Sequence, residues 1–150
     1  MLLIIGNTYY CANAGDARCL VYRKTGEHVF LSEDHKPDME VEYKRIQKAG
    51  GYVVDGRVCE NLNLTRAIGD LEYKKNTDLP AEEQIITANP DIIKKEFTED
   101  DTFFVLGCDG IWEKYVNDSQ PMITRVSNEL KTGNEGSNIL KNLLDTLVAK

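Results

Sequence analysis

Thr102-Phe103-Phe104-Val105-Leu106-Gly107-Cys108-Asp109-Gly110-Ile111-Trp112-Glu113 decides how the rest of the chain is read. Thr102 to Val105 is an apolar run rich in aromatic and β-branched residues, the pattern of a buried strand. The run leads into Asp109-Gly110, then Ile111-Trp112, then a second carboxylate, Glu113. A carboxylate leaving the end of a buried strand, with a flexible glycine behind it, is placed to meet a hard cation or a substrate. By itself an Asp-Gly pair is more often a plain turn. The choice rests on the segments around it.

The chain has 150 residues, enough for one domain or a part of a larger one, with room for a real core. Its hydrophobic fraction of 41% and charged fraction of 29% are those of a water-soluble fold. A formal net charge of −7 argues against a nucleic-acid or anionic-membrane partner, because phosphates would be repelled over most of the surface. Cys11, Cys19, Cys59 and Cys108 form no C-x-x-C pair, and with only His28 and His35 available a structural zinc site is not expected. Three of the four cysteines lie in strand-like runs, which suits free thiols in a reducing compartment. The apolar start, Met1 to Ile5, is too short for a signal core or a membrane span. The expectation is a cytoplasmic or nuclear protein.

Upstream of the opening stretch, Asp91 to Phe97 and Ile85 to Ala88 are strand-like and separated by Asn89-Pro90, while Tyr73 to Gln84 is polar and loop-like. Asn61 to Asp70 has no clean period, and Asp55-Gly56 predicts a hairpin between Tyr52–Val54 and Arg57–Cys59. Met39, Tyr43, Ile46 and Ala49 recur at helical spacing, with Asp38 as the candidate cap and Gly50-Gly51 as the stop. Leu2 to Ile5, Thr8 to Ala14, Arg18 to Arg23 and His28 to Leu31 are short strands with turn residues between them, the pattern of an antiparallel meander. Downstream, Asn117 and Gln120 resemble a capping box before a helix carrying Ile123, Val126 and Leu130. Ile139, Leu140, Leu143, Leu144, Leu147 and Val148 predict a final amphipathic helix. Many antiparallel strands covered by helices make an α+β sandwich.

Unaided, the chemistry is only a set of carboxylates at the ends of apolar segments: Asp16, Asp70, Asp109 and Glu113. Oxygen-only donors of that kind favour Mg²⁺ or Mn²⁺ over zinc or copper. His35 is either a general base or, more commonly for a loop histidine, the partner of a neighbouring acid. Arg66 either holds a phosphate or makes a structural ion pair.

Five segments together resemble the metal-dependent Ser/Thr protein phosphatases, the PP2C or PPM family. Asn13-Ala14-Gly15-Asp16-Ala17-Arg18 resembles its N-x-G-D-S-R segment, and Leu31-Ser32-Glu33-Asp34-His35-Lys36-Pro37 its L-T-x-D-H-K-P loop. Glu42 with Arg45-Ile46 and Ala49-Gly50-Gly51-Tyr52-Val53 is similar to E-x-x-R-I-x-x-A-G-G-x-V. Leu62 to Asp70 is similar to L-A-V-S-R-A-x-G-D, and Phe104 to Glu113 to F-x-I-L-A-C-D-G-I-W-D. The five follow the family's order from about Ile5 to Val126.

The resemblance implies two packed antiparallel sheets with a helical layer outside each, incomplete here at both ends. It implies hydrolysis of phosphoserine and phosphothreonine in a phosphoprotein substrate, by a water bridging two Mg²⁺ or Mn²⁺ ions and without a phospho-enzyme. Asp109 then matches a ligand of the binuclear centre. Asp16 and Glu113, the latter where the family usually has Asp, match positions around a third, looser metal. Asp70 matches a position read as structural. The family's D-G-H-x-G region and its D-N-M/V-T segment have no counterpart in the chain. Residues 1–150 are therefore expected to be part of a phosphatase domain and inactive alone. The missing N-terminal portion, or self-association, is expected to cover apolar surface. The alternative is a non-catalytic, phosphatase-like scaffolding module.

Overall fold

The computed structural model describes residues 1–115 and 118–148. β1 (Leu2–Ile5), β2 (Thr8–Asn13), β3 (Arg18–Arg23) and β4 (His28–Phe30) precede helix α1 (Glu40–Lys48). A small hairpin, β5 (Val53–Val54) and β6 (Arg57–Val58), follows, and then a long irregular excursion with 3₁₀ turns at Leu71–Tyr73 and Ala81–Glu83. β7 (Asp91–Glu96), β8 (Asp101–Gly107), α2 (Asp109–Trp112), a 3₁₀ turn at Glu113–Tyr115, α3 (Gln120–Lys131) and α4 (Gly136–Leu147) complete the order.

The four N-terminal strands do not form one meander. β1-β2-β7 make one antiparallel sheet and β4-β3-β8 a second, so the chain changes sheets between Asn13 and Arg18. β2 and β3 are each the central strand of their own sheet, and their partners β7 and β8 arrive about 80 residues later in sequence. No local pattern announces that exchange. The two sheets face each other over Tyr9, Cys11, Cys19, Val21 and Leu31, with Phe97 and Phe104 set edge-on to Tyr9 at 5.2 and 5.0 Å.

β3 buries Cys19, Leu20, Val21 and Tyr22 in succession because both its faces are covered. Cys19 and Val21 point between the sheets. Leu20 and Tyr22 point outward to Trp112, Met122, Ile123 and Leu143, where α2, α3 and α4 form the helical layer. Outside the β1-β2-β7 sheet, by contrast, no described helix lies. The register sets Leu3 beside Tyr10, Ile5 beside Thr8 and Ile92 beside Ala12 on that face. Leu3, Ile5 and Ile92 remain 47%, 60% and 64% exposed.

α1, the β5-β6 hairpin and the excursion share a smaller core of Ile46, Val58 and Ile86. Asp55-Gly56 turns the hairpin with φ of 49° and 72°, both central residues left-handed as a tight hairpin of this kind requires. Two local expectations are corrected. Asp38 does not cap α1; Met39 is the cap residue and no side chain bonds there. Ile85 to Ala88 is not a strand; only Thr87 pairs, in an isolated bridge to Arg66, while Ile86 plugs the small core. The capping box falls on Asn117, which lies outside the described residues. α3 begins after Ser119, with Asp118 Oδ1 accepting the Gln120 N–H at 2.8 Å.

Candidate functional site

The β3–β8 register ends at the pair Arg18↔Gly107. Asp16 lies two residues before Arg18 and Asp109 two residues after Gly107, so both carboxylates leave the same end of one antiparallel ladder. Between the sheets at that end is an opening of about 270 Å³ whose lining includes Cys11, Asn13, Arg18, Cys19, Leu106 and Gly107. Asp109 opens α2, is exposed, and accepts the Gly110 N–H at 2.8 Å through one oxygen. The backbone stays helical through Glu113, and the four-residue spacing puts Glu113 on the same helical face as Asp109. Glu113 too is exposed. Behind them Trp112 is buried and its indole N–H donates to the Gly107 carbonyl at 2.6 Å. That bond sets the angle between strand and helix.

The Asp16 turn is clamped by three consecutive residues of the loop after β4. Asp34 takes Arg18 in a two-pronged ion pair at 2.8 and 2.9 Å. His35 Nδ1 accepts the Gly15 N–H at 3.1 Å, and the His35 N–H donates to the Gly15 carbonyl at 3.1 Å. Lys36 Nζ donates to Asp16 Oδ2. Asn13 completes the hold, its amide donating to the Gly15 and Glu33 carbonyls at 3.0 and 2.8 Å. Gly15 sits at φ 127°, and a Cβ there would come within 3.2 Å of the Arg66 carbonyl. Only glycine fits so close to the neighbouring backbone at that φ.

From His35 the bonding continues inward. Its Nε2–H donates to Asp91 Oδ2 at 3.0 Å, and Asp91 Oδ1 accepts Arg66 Nη1–H at 2.9 Å. Arg66 turns its other two nitrogens on Glu42, at 2.6 Å from Nη2 and 3.0 Å from Nε. Glu42 also accepts from Arg45 Nη1 at 2.6 Å and from the Thr65 hydroxyl. Burial pushes the Glu42 carboxyl up, but the bonds from Arg66, Thr65 and Arg45, with the Arg45 charge, outweigh it and hold it at about 2. The His35 bond, followed by Arg66, keeps the Asp91 carboxyl below its ordinary value although burial opposes it.

Arg66 is therefore an ion-pair residue, nearly buried and fully engaged, and His35 is oriented by an acid 56 residues away. Asp70 is exposed, left-handed at φ 49°, and starts the Leu71–Tyr73 turn. The sequence reading missed the bonding roles of Glu42, Lys36 and Asp91. Glu42 carried a signal, since it sits one helical turn before Ile46, on the face of the predicted apolar stripe. A carboxylate there must find buried cations. The partnership of Asp91 with His35 and Arg66 had none.

Among the described residues no group of three or more His, Cys, Asp or Glu side chains is gathered closely enough to hold a metal ion. Asp16, Asp109 and Glu113 are oxygen donors of the kind Mg²⁺ and Mn²⁺ take, ions commonly held by one or two carboxylates together with waters. They do not make up a self-contained two-metal centre. A groove of about 620 Å³, lined by Lys74, Lys75, Gln84, Thr87 and Asn89 among others, includes none of these carboxylates. No helix among the described residues is long and apolar enough to cross a membrane.

The sequence model of the family described as Protein phosphatase 2C matches residues 1–150. "Probable protein phosphatase 2C 6" of Paramecium tetraurelia is 48% identical over 148 residues, covering 99% of this chain and 49% of the relative. "Probable protein phosphatase 2C 21" of Arabidopsis thaliana is 45% identical over 147 residues, covering 98% of this chain and 41% of the relative. The chain thus spans about half the length, or somewhat less, of these curated relatives. Among solved structures, a phosphatase from Toxoplasma gondii superposes with a TM-score of 0.82 at 32% identity, over 93% of this chain and 43% of that one. With the two-sheet sandwich, the clamped Gly15-Asp16 turn and the Asp109 helix start all in place, the chain belongs to the protein phosphatase 2C family.

Proposed function

We propose that residues 1–150 are part of a metal-dependent protein phosphatase domain that hydrolyses phosphoserine and phosphothreonine in proteins. In this reading Asp109 contributes to a Mg²⁺ or Mn²⁺ centre, Asp16 and Glu113 surround a looser metal position, and the remaining ligands come from outside these residues. The observation that carries it is the β3–β8 register, which delivers Asp16 and Asp109 to one ladder end beside the inter-sheet opening. When bound, the metals supply a nucleophilic water at neutral pH and neutralise phosphate charge. The chain's own residues orient the carboxylates: Trp112 fixes the strand-to-helix angle, and Asp34, His35 and Lys36 fix the Asp16 turn. Free thiols at Cys11, Cys19, Cys59 and Cys108 support a reducing compartment, cytoplasmic or nuclear.

The test is a pair of proteins. Residues 1–150 alone are expected to show no Mn²⁺-dependent turnover of p-nitrophenyl phosphate. The same residues, replacing the matched stretch in the Paramecium relative, are expected to be active and to lose activity by at least a hundredfold in Asp109→Asn. A folded but inactive chimera would overturn the phosphatase reading in favour of a scaffolding module. Turnover by residues 1–150 alone, abolished by Asp109→Asn, would overturn the dependence on outside ligands.

A further inference from the structure

Asp16 already has a cation. Lys36 Nζ is bonded to Oδ2, with the Asp16 side chain 12% exposed and the Lys36 side chain 32% exposed. Arg18, the other nearby cation, is held on both prongs by Asp34. Among the described residues Lys36 is therefore the one cation in ion-pair contact with the Asp16 carboxylate. The three members of the clamp differ in kind. Asp34 and His35 make directional bonds to groups that cannot move without unfolding the turn. Lys36 is a point charge on a flexible four-carbon stem, partly in solvent, and can swing away with the turn intact.

Resting on the metal reading proposed above, we infer that Lys36 is a built-in counter-cation that a divalent ion must displace from Asp16. An ammonium and a divalent ion on one nearly buried carboxylate repel each other strongly, because little water screens them. Lys36 bonding and metal binding at Asp16 are then mutually exclusive. The lysine keeps the turn neutral and ordered when the ion is absent. It also weakens the site relative to the same carboxylate without an ammonium on it, so that the ion comes and goes more readily.

The experiment titrates Mn²⁺ into residues 1–150 and follows the free-ion signal by electron paramagnetic resonance, with circular dichroism melts as the check on folding. Lys36→Met is expected to tighten Mn²⁺ binding about tenfold, the effect of removing one adjacent like charge. Lys36→Gln is a second variant should the methionine disturb the turn, and Asp16→Asn/Lys36→Met is expected to lose the gain. In the unmodified chain, acylation of Lys36 by an amine-directed reagent is expected to rise when Mn²⁺ is added, since the displaced ammonium is freed. If Asp16→Asn and Asp109→Asn weaken Mn²⁺ binding but the Lys36 variants do not tighten it and acylation is unchanged, Lys36 is a clamp only and the inference fails alone. If Asp16→Asn and Asp109→Asn leave Mn²⁺ binding to residues 1–150 unchanged, no ion binds at Asp16 and the inference fails, while the metal reading itself is decided by the chimera.

Discussion

Glu42 is tightly constrained: it is 1% exposed and accepts from two guanidinium groups and a hydroxyl. Its carboxyl lies near 2 in the fold, against an ordinary value of 4.5. A group whose value is lowered by folding stabilises the fold above its unfolded value, and that stability is lost as pH falls toward the folded value. Glu42 therefore contributes about 3 kcal/mol at neutral pH, lost progressively between pH 4.5 and pH 2. Glu42→Gln keeps the shape but leaves the charge of Arg66 partly unanswered in the interior. It is expected to lower the unfolding free energy at pH 7 by about 3 kcal/mol, read from urea melts. The variant should also show a flatter acid limb than the parent. An unchanged limb would assign the acid sensitivity to other carboxylates.

At the scale of elements, the joint between β8 and α2 matters most. Gly107 ends the strand, and a Cβ there would meet Ile111 at 3.1 Å and Trp112 at 3.3 Å, so strand and helix pack without a spacer. The Trp112 indole fills the gap between the β4-β3-β8 sheet and α3, lying edge-on to Phe30 at 5.8 Å. Trp112→Ala is expected to cost about 4 kcal/mol through the cavity it leaves, measured by thermal or urea unfolding. A loss below 1 kcal/mol would mean that α2 is not held by this side chain. Lys114 adds a second tie, donating from Nζ to the Thr146 carbonyl of α4 at 2.6 Å.

At the scale of the whole molecule, the two sheets are covered unequally. One carries α3 and α4, while the other turns Leu3, Ile5 and Ile92 to solvent on its outer face and has β1 and β7 as open edges. Apolar area beside unpaired edges favours association. Residues 1–150 alone are expected to sediment as a concentration-dependent mixture, and Leu3→Lys with Ile92→Lys to shift it toward monomer. A sharp monomer at all concentrations would show that this face is stable in water as it stands.

The amino-acid order by itself determined the local elements whose causes are local: the Asp55-Gly56 hairpin and the amphipathic helices α1, α3 and α4. Through the motif resemblance it also pointed to the family and to Asp16, Asp109 and Glu113 as carboxylates of interest. What only the tertiary structure decided are the pairings that cross long stretches of chain. β2 and β3 part into different sheets because each finds its second partner some 80 residues downstream, where burial of both faces outweighs a local hairpin. Arg66 and His35 changed from open possibilities to bonded members of one chain running from Glu42 to Gly15, because a nearly buried charge must be matched wherever the fold brings a partner. Lys36 came to rest on Asp16 for the same reason, 20 residues away in sequence and one hydrogen bond away in space.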